Sequence, residues 1–374
     1  MRISNWRPAP GENLKRIEAI DLFKFFVLLL MIQGHLFRAY LLPEIRKTAW
    51  WNIHEILHGV VAPGFLFSAG FAAFLAFAKK KEHYLTIGKP FWKRLRRILF
   101  LVWCGYWIHF PYLSLRKALS GFVDGSVPAA MAVDILQCIG VSLIIFLLLG
   151  LILRKDLLVA AFSLGLAMLF FLLPLTVQDI GGHFAFRAYF DYRISLFPLF
   201  PWAGYLFTGI VVAYVYLHLR IDLFFRLLAV AGTLMFPWVF LTKPQFWKLE
   251  MTWQGTCQKL GCVFLLLALS YFVVSRWKNK GIDLLKEAGS ESLYVYILQN
   301  FIIFGSLYGQ GMRPRFQDSL GVVVATGLFL LVQAVIFATA IVYGRIKKNR
   351  PLLWRIGFVV FWLGFSLYIL FRPH

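Results

Sequence analysis

Residues 16–41 read RIEAIDLFKFFVLLLMIQGHLFRAYL. From Ile20 to Leu41 this run is apolar enough and long enough to cross a bilayer, whose hydrocarbon core takes about 20 such residues. It nevertheless carries Asp21, Lys24, Gln33, His35 and Arg38. At about 100° per residue, Asp21, Lys24, Leu28, Met31, His35 and Arg38 fall on one stripe. Ionisable groups facing hydrocarbon are costly, so the stripe is expected to face other helices. Asp21 and Lys24 are three apart near one end, where a structural ion pair explains them at least as well as chemistry. His35 lies about 22 Å along the helix from the start of the span, in the far half of the membrane.

Working outward, the same kind of run recurs. Candidate spans fall at roughly 20–41, 56–78, 98–115, 130–153, 157–175, 196–217, 222–242, 255–275, 290–308, 321–343 and 353–371. The chain has 374 residues, of which 60% are apolar and only 15% charged. Soluble domains hold about 45–50% apolar and about 25% charged residues, so a soluble fold is excluded. The runs are continuous rather than alternating, which excludes a β-barrel. The fold class is therefore all-α, a polytopic membrane helix bundle of about 11 spans. The first run follows mostly polar residues and is long enough to stay in the membrane, so no cleaved signal is expected. Residues 1–19 read as a cytoplasmic segment and 20–371 as a single transmembrane domain.

The formal charge is +22. Basic residues lie between the oily runs, a pattern of membrane orientation and headgroup contact rather than nucleic-acid binding. With the N-terminus inside, the inner segments hold 23 Lys and Arg and the outer segments 11, which sets an N-in, C-out expectation. The densest cluster is Lys79, Lys80, Lys81, Lys89, Lys93, Arg94, Arg96 and Arg97. It suits headgroup contact, and it also suits docking of an anionic cofactor. Cys104, Cys138, Cys257 and Cys262 form no CxxC pair and read as small apolar residues.

Other polar groups converge on the depth of His35. His58 opens the second span; His109 lies past the middle of the third; Asp134 and Gln137 start the fourth. Asp191 and Arg193 precede the sixth, which opens Phe197-Pro198-Leu199-Phe200-Pro201-Trp202. Three histidines and two aspartates are thus expected around one outward-opening cavity. Imidazole in such a place is suited to general-base work or acyl transfer, and a carboxylate such as Asp134 would fix its tautomer. His54-Glu55-Ile56-Leu57-His58 matches the HExxH zinc motif. With no convincing third ligand it reads instead as a polar helix start, with His58 alone functional and no metal expected.

Arg16 to Lys24 with Met31 and Gly34-His35, then His58–Gly70, Asp134–Gly140, Phe197–Gly209 and Ser292–Leu298, form an ordered set. This set resembles transmembrane acyltransferases, above all the bacterial group related to the heparan-α-glucosaminide N-acetyltransferase catalytic domain. The chain departs from that pattern in four places: Lys24-Phe25 stands for Arg-Gly, Gln299 for a histidine, His35 for the asparagine of the eukaryotic enzyme, and Arg46, Lys47 and Thr48 occupy the loop where that enzyme has its catalytic histidine.

The resemblance implies acyl transfer from cytoplasmic acetyl-CoA or another acyl-CoA to a hydroxyl or amine of a sugar or envelope glycan at the outer face, in a bacterial inner membrane. It implies His35 as base or transient acyl carrier, assisted by His58 and Asp134. Lys24, Lys93, Arg94 and Arg97 would contact the donor. Gln137, His109, Asp191, Arg193, Trp202 and Gln299 would face the acceptor. The implied partners are the bilayer, acyl-CoA and the acceptor, with no nucleic acid, and a homodimer is compatible with the sequence. Outside enzymology the alternative is a transporter or glycan carrier using the same cavity without covalent chemistry, although no internal repeat supports it. A zinc protease built on HEILH is the third reading.

Overall fold

The computed structural model describes residues 17–110, 113–120, 131–173, 183–237, 252–305 and 311–372. Its main helices are α1 (Glu18–Tyr40), α2 (Ala49–His58), α3 (Val61–Lys79), α4 (Lys89–Ile108), α5 (Ile135–Leu153), α6 (Asp156–Leu172), α7 (Leu199–His218), α8 (Ile221–Met235), α9 (Trp253–Arg276), α10 (Lys280–Ser290), α11 (Ser292–Ile303), α12 (Val322–Asn349) and α13 (Pro351–Phe371). Short helical turns occupy some of the connections. Among the described residues, β pairing is limited to one isolated bridge between Leu41 and Leu320. The chain is an all-α polytopic membrane protein.

Each of the eleven apolar stretches contains a helix. Among the described residues, seven helical runs are long and apolar enough to cross a membrane: α1, α2–α3, α5, α7, α9, α12 and α13. α6 and α11 are apolar but shorter, at 17 and 12 residues, and α8 has 15. α4 opens on Lys89, Lys93, Arg94, Arg96 and Arg97 before turning apolar. The N-terminal segment up to residue 16 lies outside the described residues. So do the stretch positions 111–112, 130, 174–175, 238–242 and 306–308.

The second stretch differs from its reading in one respect. HEILH does not open the span; it closes a separate helix, α2, which breaks at Gly59-Val60 before α3 begins. Thr48 starts α2 early, because its hydroxyl accepts from Trp51 N–H and satisfies one of the donors that a helix start leaves unpaired. The motif is thereby carried onto the inward face, with His54 and His58 both buried.

α1 is the axis of the bundle and packs against α2, α3, α9, α10, α11 and α12. The stretch of α1 that reads as a span is 67% buried, against 17% for α12 and 11% for α13. Peripheral side chains such as Val323, Leu352 and Phe371 are apolar and exposed, as a lipid-facing surface requires. The tightest crossing joins α3 to α7. A side chain at Gly70 would overlap the carbonyl of Leu206, and one at Gly209 would overlap that of Phe67. Small residues on both partners let the two backbones touch, the usual source of helix association in lipid. Within α7, Phe200 leaves helical geometry (φ −94°, ψ 120°), and Pro201 has no N–H to give the preceding turn. The resulting kink sits beside the cavity described next.

Candidate active site

One end of the bundle carries the basic segment 79–97, which joins α3 to α4. The other end holds a cavity of about 480 Å³. Helix ends build it. The last turns of α1 give Met31, His35 and Arg38, and the α2–α3 junction gives His58, Gly59, Val61 and Ala62. The end of α4 gives Ile108 and His109, and the start of α5 gives Asp134 and Ile135. Leu196, Phe197 and Trp202 come from the approach to α7 and its first turn, and Tyr296, Asn300 and Phe304 from α11 and its end. Apolar and aromatic walls with a few convergent polar groups are the usual make-up of a small-molecule site.

Asp134 is the hub of one wall. It is the N-cap of α5, with its side chain on the N3 backbone and the Gln137 side chain bonded back to the Asp134 N–H, a reciprocal capping box. Its Oδ2 accepts from His109 Nε2 at 2.9 Å and from the Tyr296 hydroxyl. A carboxylate can only accept, so Nε2 of His109 carries the proton and Nδ1 keeps its lone pair. This is the imidazole–carboxylate pair that fixes a tautomer and stabilises the imidazolium once it forms. On another wall, His35 Nδ1 is 2.9 Å from Gln299 Oε1, and His58 Nδ1 is 3.3 Å from the Leu30 carbonyl. Both imidazoles donate through Nδ1 and keep Nε2 as acceptor. The His35 and His58 rings are 5.9 Å apart between centroids.

His35, His58, His109, Asp134 and Trp202 thus line one cavity. Gln299 is buried directly behind His35 and bonded to it. Gln137 is buried beneath the Asp134 cap, against Gly105 of α4. Asp191 and Arg193 stand outside the lining. The Asp191 carboxylate accepts from the Arg193 backbone N–H at 2.9 Å and from its guanidinium, closing the turn before α7. Those hydrogen bonds hold the Asp191 carboxyl below its usual pKa range. The same turn reaches the site indirectly: Val133 N–H donates to Ser195 Oγ at 2.8 Å, and Phe197 N–H to the Val133 carbonyl at 3.2 Å. Lys24, Lys93, Arg94 and Arg97 lie toward the basic end, Lys93 and Arg97 exposed and Arg94 half-buried beside Tyr84.

The HEILH carboxylate is engaged elsewhere: Glu55 accepts from Arg38 Nε at 3.0 Å and from a second nitrogen of the same guanidinium. Among the described residues no three His, Cys, Asp or Glu side chains are grouped to hold a metal ion. The four cysteines are unpaired thiols. Asn300 and Arg313, which also line the cavity, were not singled out in the sequence, and two further contributors were missed. Tyr296 sits three residues before Gln299 on α11, so the same helical face that pointed to Gln299 carries it. Lys259 is buried on α9, with its ammonium 5.5 Å from the centre of the Trp202 ring. A lone lysine inside an apolar run was a signal of the same kind as His35.

A polytopic helical membrane protein with a half-buried imidazole–carboxylate pair facing a ligand-sized cavity belongs among membrane-embedded catalysts or carriers. The chain is a member of the family defined by the catalytic domain of heparan-alpha-glucosaminide N-acetyltransferase, whose model matches residues 16–242. Membership carries a membrane acetyltransferase-like function. The matched region contains His35, His58, His109 and Asp134, whereas Tyr296, which lines the same cavity, and Gln299, which backs His35, lie beyond it. No curated protein matches the chain.

Proposed function

We propose that this protein transfers an acetyl or other acyl group from a coenzyme A thioester, supplied on the cytoplasmic side, to an amine or hydroxyl of a sugar or envelope glycan at the outer face of a bacterial inner membrane. The observation that carries the reading is the His109–Asp134 pair facing a cavity lined by two further imidazoles. In this scheme the acceptor occupies the cavity between His109 and the His35–His58 wall. As the acceptor nitrogen or oxygen attacks the thioester carbonyl, His109 Nδ1 takes its proton and Asp134 stabilises the imidazolium. The new C–N or C–O bond forms, the C–S bond breaks, and the thiolate leaves with that proton. His35 and His58 orient the acceptor and accept a proton from it where it arrives charged.

The basic end then serves the donor. With the N-terminus inside, Lys24, Lys93, Arg94 and Arg97 sit where the anionic head of coenzyme A arrives. From Lys24 to His35 the rise along α1 is about 16 Å, which the acyl-bearing arm would have to cover. The test is reconstitution in proteoliposomes with labelled acetyl-CoA and glucosamine. Label on the sugar, lost in His109→Ala and His35→Ala while both variants remain folded in the membrane, supports the scheme. Sugar flux without label transfer supports a carrier and refutes it.

A further inference from the structure

His54 belongs to no wall of the cavity, yet it is buried together with His58 on the inward face of α2. Its ring is stacked on Trp51 at 4.4 Å between centroids and lies parallel to that of His58, with 6.1 Å between centroids and 2° between planes. His58 is in turn 5.9 Å from His35, which lines the cavity. At the other side, His54 Nδ1 is 3.4 Å from Glu55 Oε1, and Glu55 is partly exposed. Nε2 of His54 makes no hydrogen bond, and Nδ1 meets only the Glu55 carboxylate. A buried polar group without a partner costs about 1–3 kcal/mol, so its retention asks for a reason. Stacking alone would be met by phenylalanine. The ladder His35, His58, His54, Glu55 instead gives four proton-accepting groups, each next to the one before, from the cavity to a partly exposed carboxylate. Each step is short enough for a side-chain swing or one bridging water.

We propose that His58, His54 and Glu55 form a proton relay that carries a proton from His35 to water at the outer face. The inference rests on the acyl-transfer reading in the case where the acceptor is an amine that enters as ammonium. Such an acceptor must lose one proton before it can attack, and the filled cavity blocks direct escape to water. The balance is R–NH3+ plus acyl–S–CoA giving R–NH–acyl, CoA–SH and one H+. The C–N bond forms and the C–S bond breaks. The second nitrogen proton passes through His109 to the thiolate, and the first leaves by the ladder. The charged and titratable groups facing His54 and its neighbours are Glu55 and His58 on α2, His35 and Arg38 on α1, Lys259 on α9 beside Gly59, and His109 and Asp134 in the cavity that His35 lines.

The experiment is acetylation of glucosamine by labelled acetyl-CoA in proteoliposomes, comparing wild type, His54→Phe and Glu55→Gln across pH, with and without imidazole buffer outside. Phenylalanine keeps the stack and glutamine keeps a hydrogen bond to Arg38, but neither relays a proton. A relay predicts that kcat falls about a hundredfold with KM unchanged, that the loss is greatest at low pH, and that external imidazole restores much of the rate. Wild-type kcat in either variant overturns the relay, and so does a slowed variant that imidazole does not restore. A wild type that transfers no label defeats the proposed function first, and with it the proton to be carried.

Discussion

Gly34 stands one residue before His35 on α1, and a β-carbon there would overlap Nδ1, Cε1 and Cγ of His58. Gly34→Ala therefore has to move the His58 ring, and the open side is the cavity that the ring lines. The displacement breaks the 3.3 Å bond to the Leu30 carbonyl, worth about 1 kcal/mol. Overpacking adds about 1–3 kcal/mol. Exchanging glycine for alanine inside a helix returns about 1 kcal/mol. The net loss is about 1–3 kcal/mol of stability, a modest drop in thermal midpoint in detergent. Catalysis should suffer more, because an imidazole pushed by an ångström into acceptor space costs about a hundredfold in turnover. The decisive comparison is the double variant Gly34→Ala/His58→Ala. With no ring to strike, the alanine at 34 should cost little beyond what His58→Ala costs alone, so the two effects are strongly non-additive in stability. Wild-type turnover and midpoint for Gly34→Ala, or additive losses in the double variant, would refute the placement of His58 against α1.

Asp134→Asn keeps the shape of the cap but removes the charge beside His109. Transfer should fall roughly 10²–10⁴-fold, with the folded yield in membranes nearly unchanged, as labelled-acetyl assays and size-exclusion profiles would show. Tyr296→Phe removes one hydroxyl donor from the same carboxylate. At about 1.5–3 kcal/mol for a hydrogen bond to a charged group, a ten- to hundredfold loss is expected in kcat, measured in the same assay. Asp191→Asn tests the turn behind the cavity. Because the folded Asp191 pKa is depressed, its ion pairing stabilises the protein fully above the ordinary carboxylate value of about 3.9 and is lost as pH falls through the lower folded value. The wild type should therefore melt higher than Asp191→Asn at neutral pH, with the gap closing below about pH 4 in thermal scans.

The depth of the site was legible in the sequence because depth needs only counting. At 1.5 Å per residue, His35 near the end of one span and His58 at the start of the next must lie close to the same level. Azimuth and partner choice were not legible, because they depend on how helices rotate and cross. The identity of the imidazole beside Asp134 turns on that packing: the pair forms because α4 runs against α5, and the start of α5 is held by the Ser195 and Phe197 contacts to Val133. The Asp134–Gln137 spacing was visible as a polar i,i+3 pair, but its local use as a capping box does not tell a reader that the same carboxylate also takes His109 and Tyr296. Asp191 and Arg193 read as cavity residues in the sequence, yet as neighbours two apart in a turn they satisfy each other and brace the wall from behind.

That arrangement explains why the cavity sits at helix ends rather than mid-membrane. A mid-helix carboxylate in oil must find all its partners through side chains from neighbouring helices. Asp134 instead spends part of its accepting capacity on the exposed N–H groups of α5, which need an acceptor wherever a helix begins. The remaining capacity goes to His109 and Tyr296, from α4 and α11. One residue therefore closes a helix and charges the site, so the cost of holding a carboxylate near the bilayer is shared with a structural need. The same economy appears at His58, which ends α2, donates to a carbonyl of α1 and still faces the cavity. In both cases the chemistry rides on the chain's obligation to satisfy a helix end or a neighbouring backbone, and the polar groups collect at one level because the helices that carry them end there together.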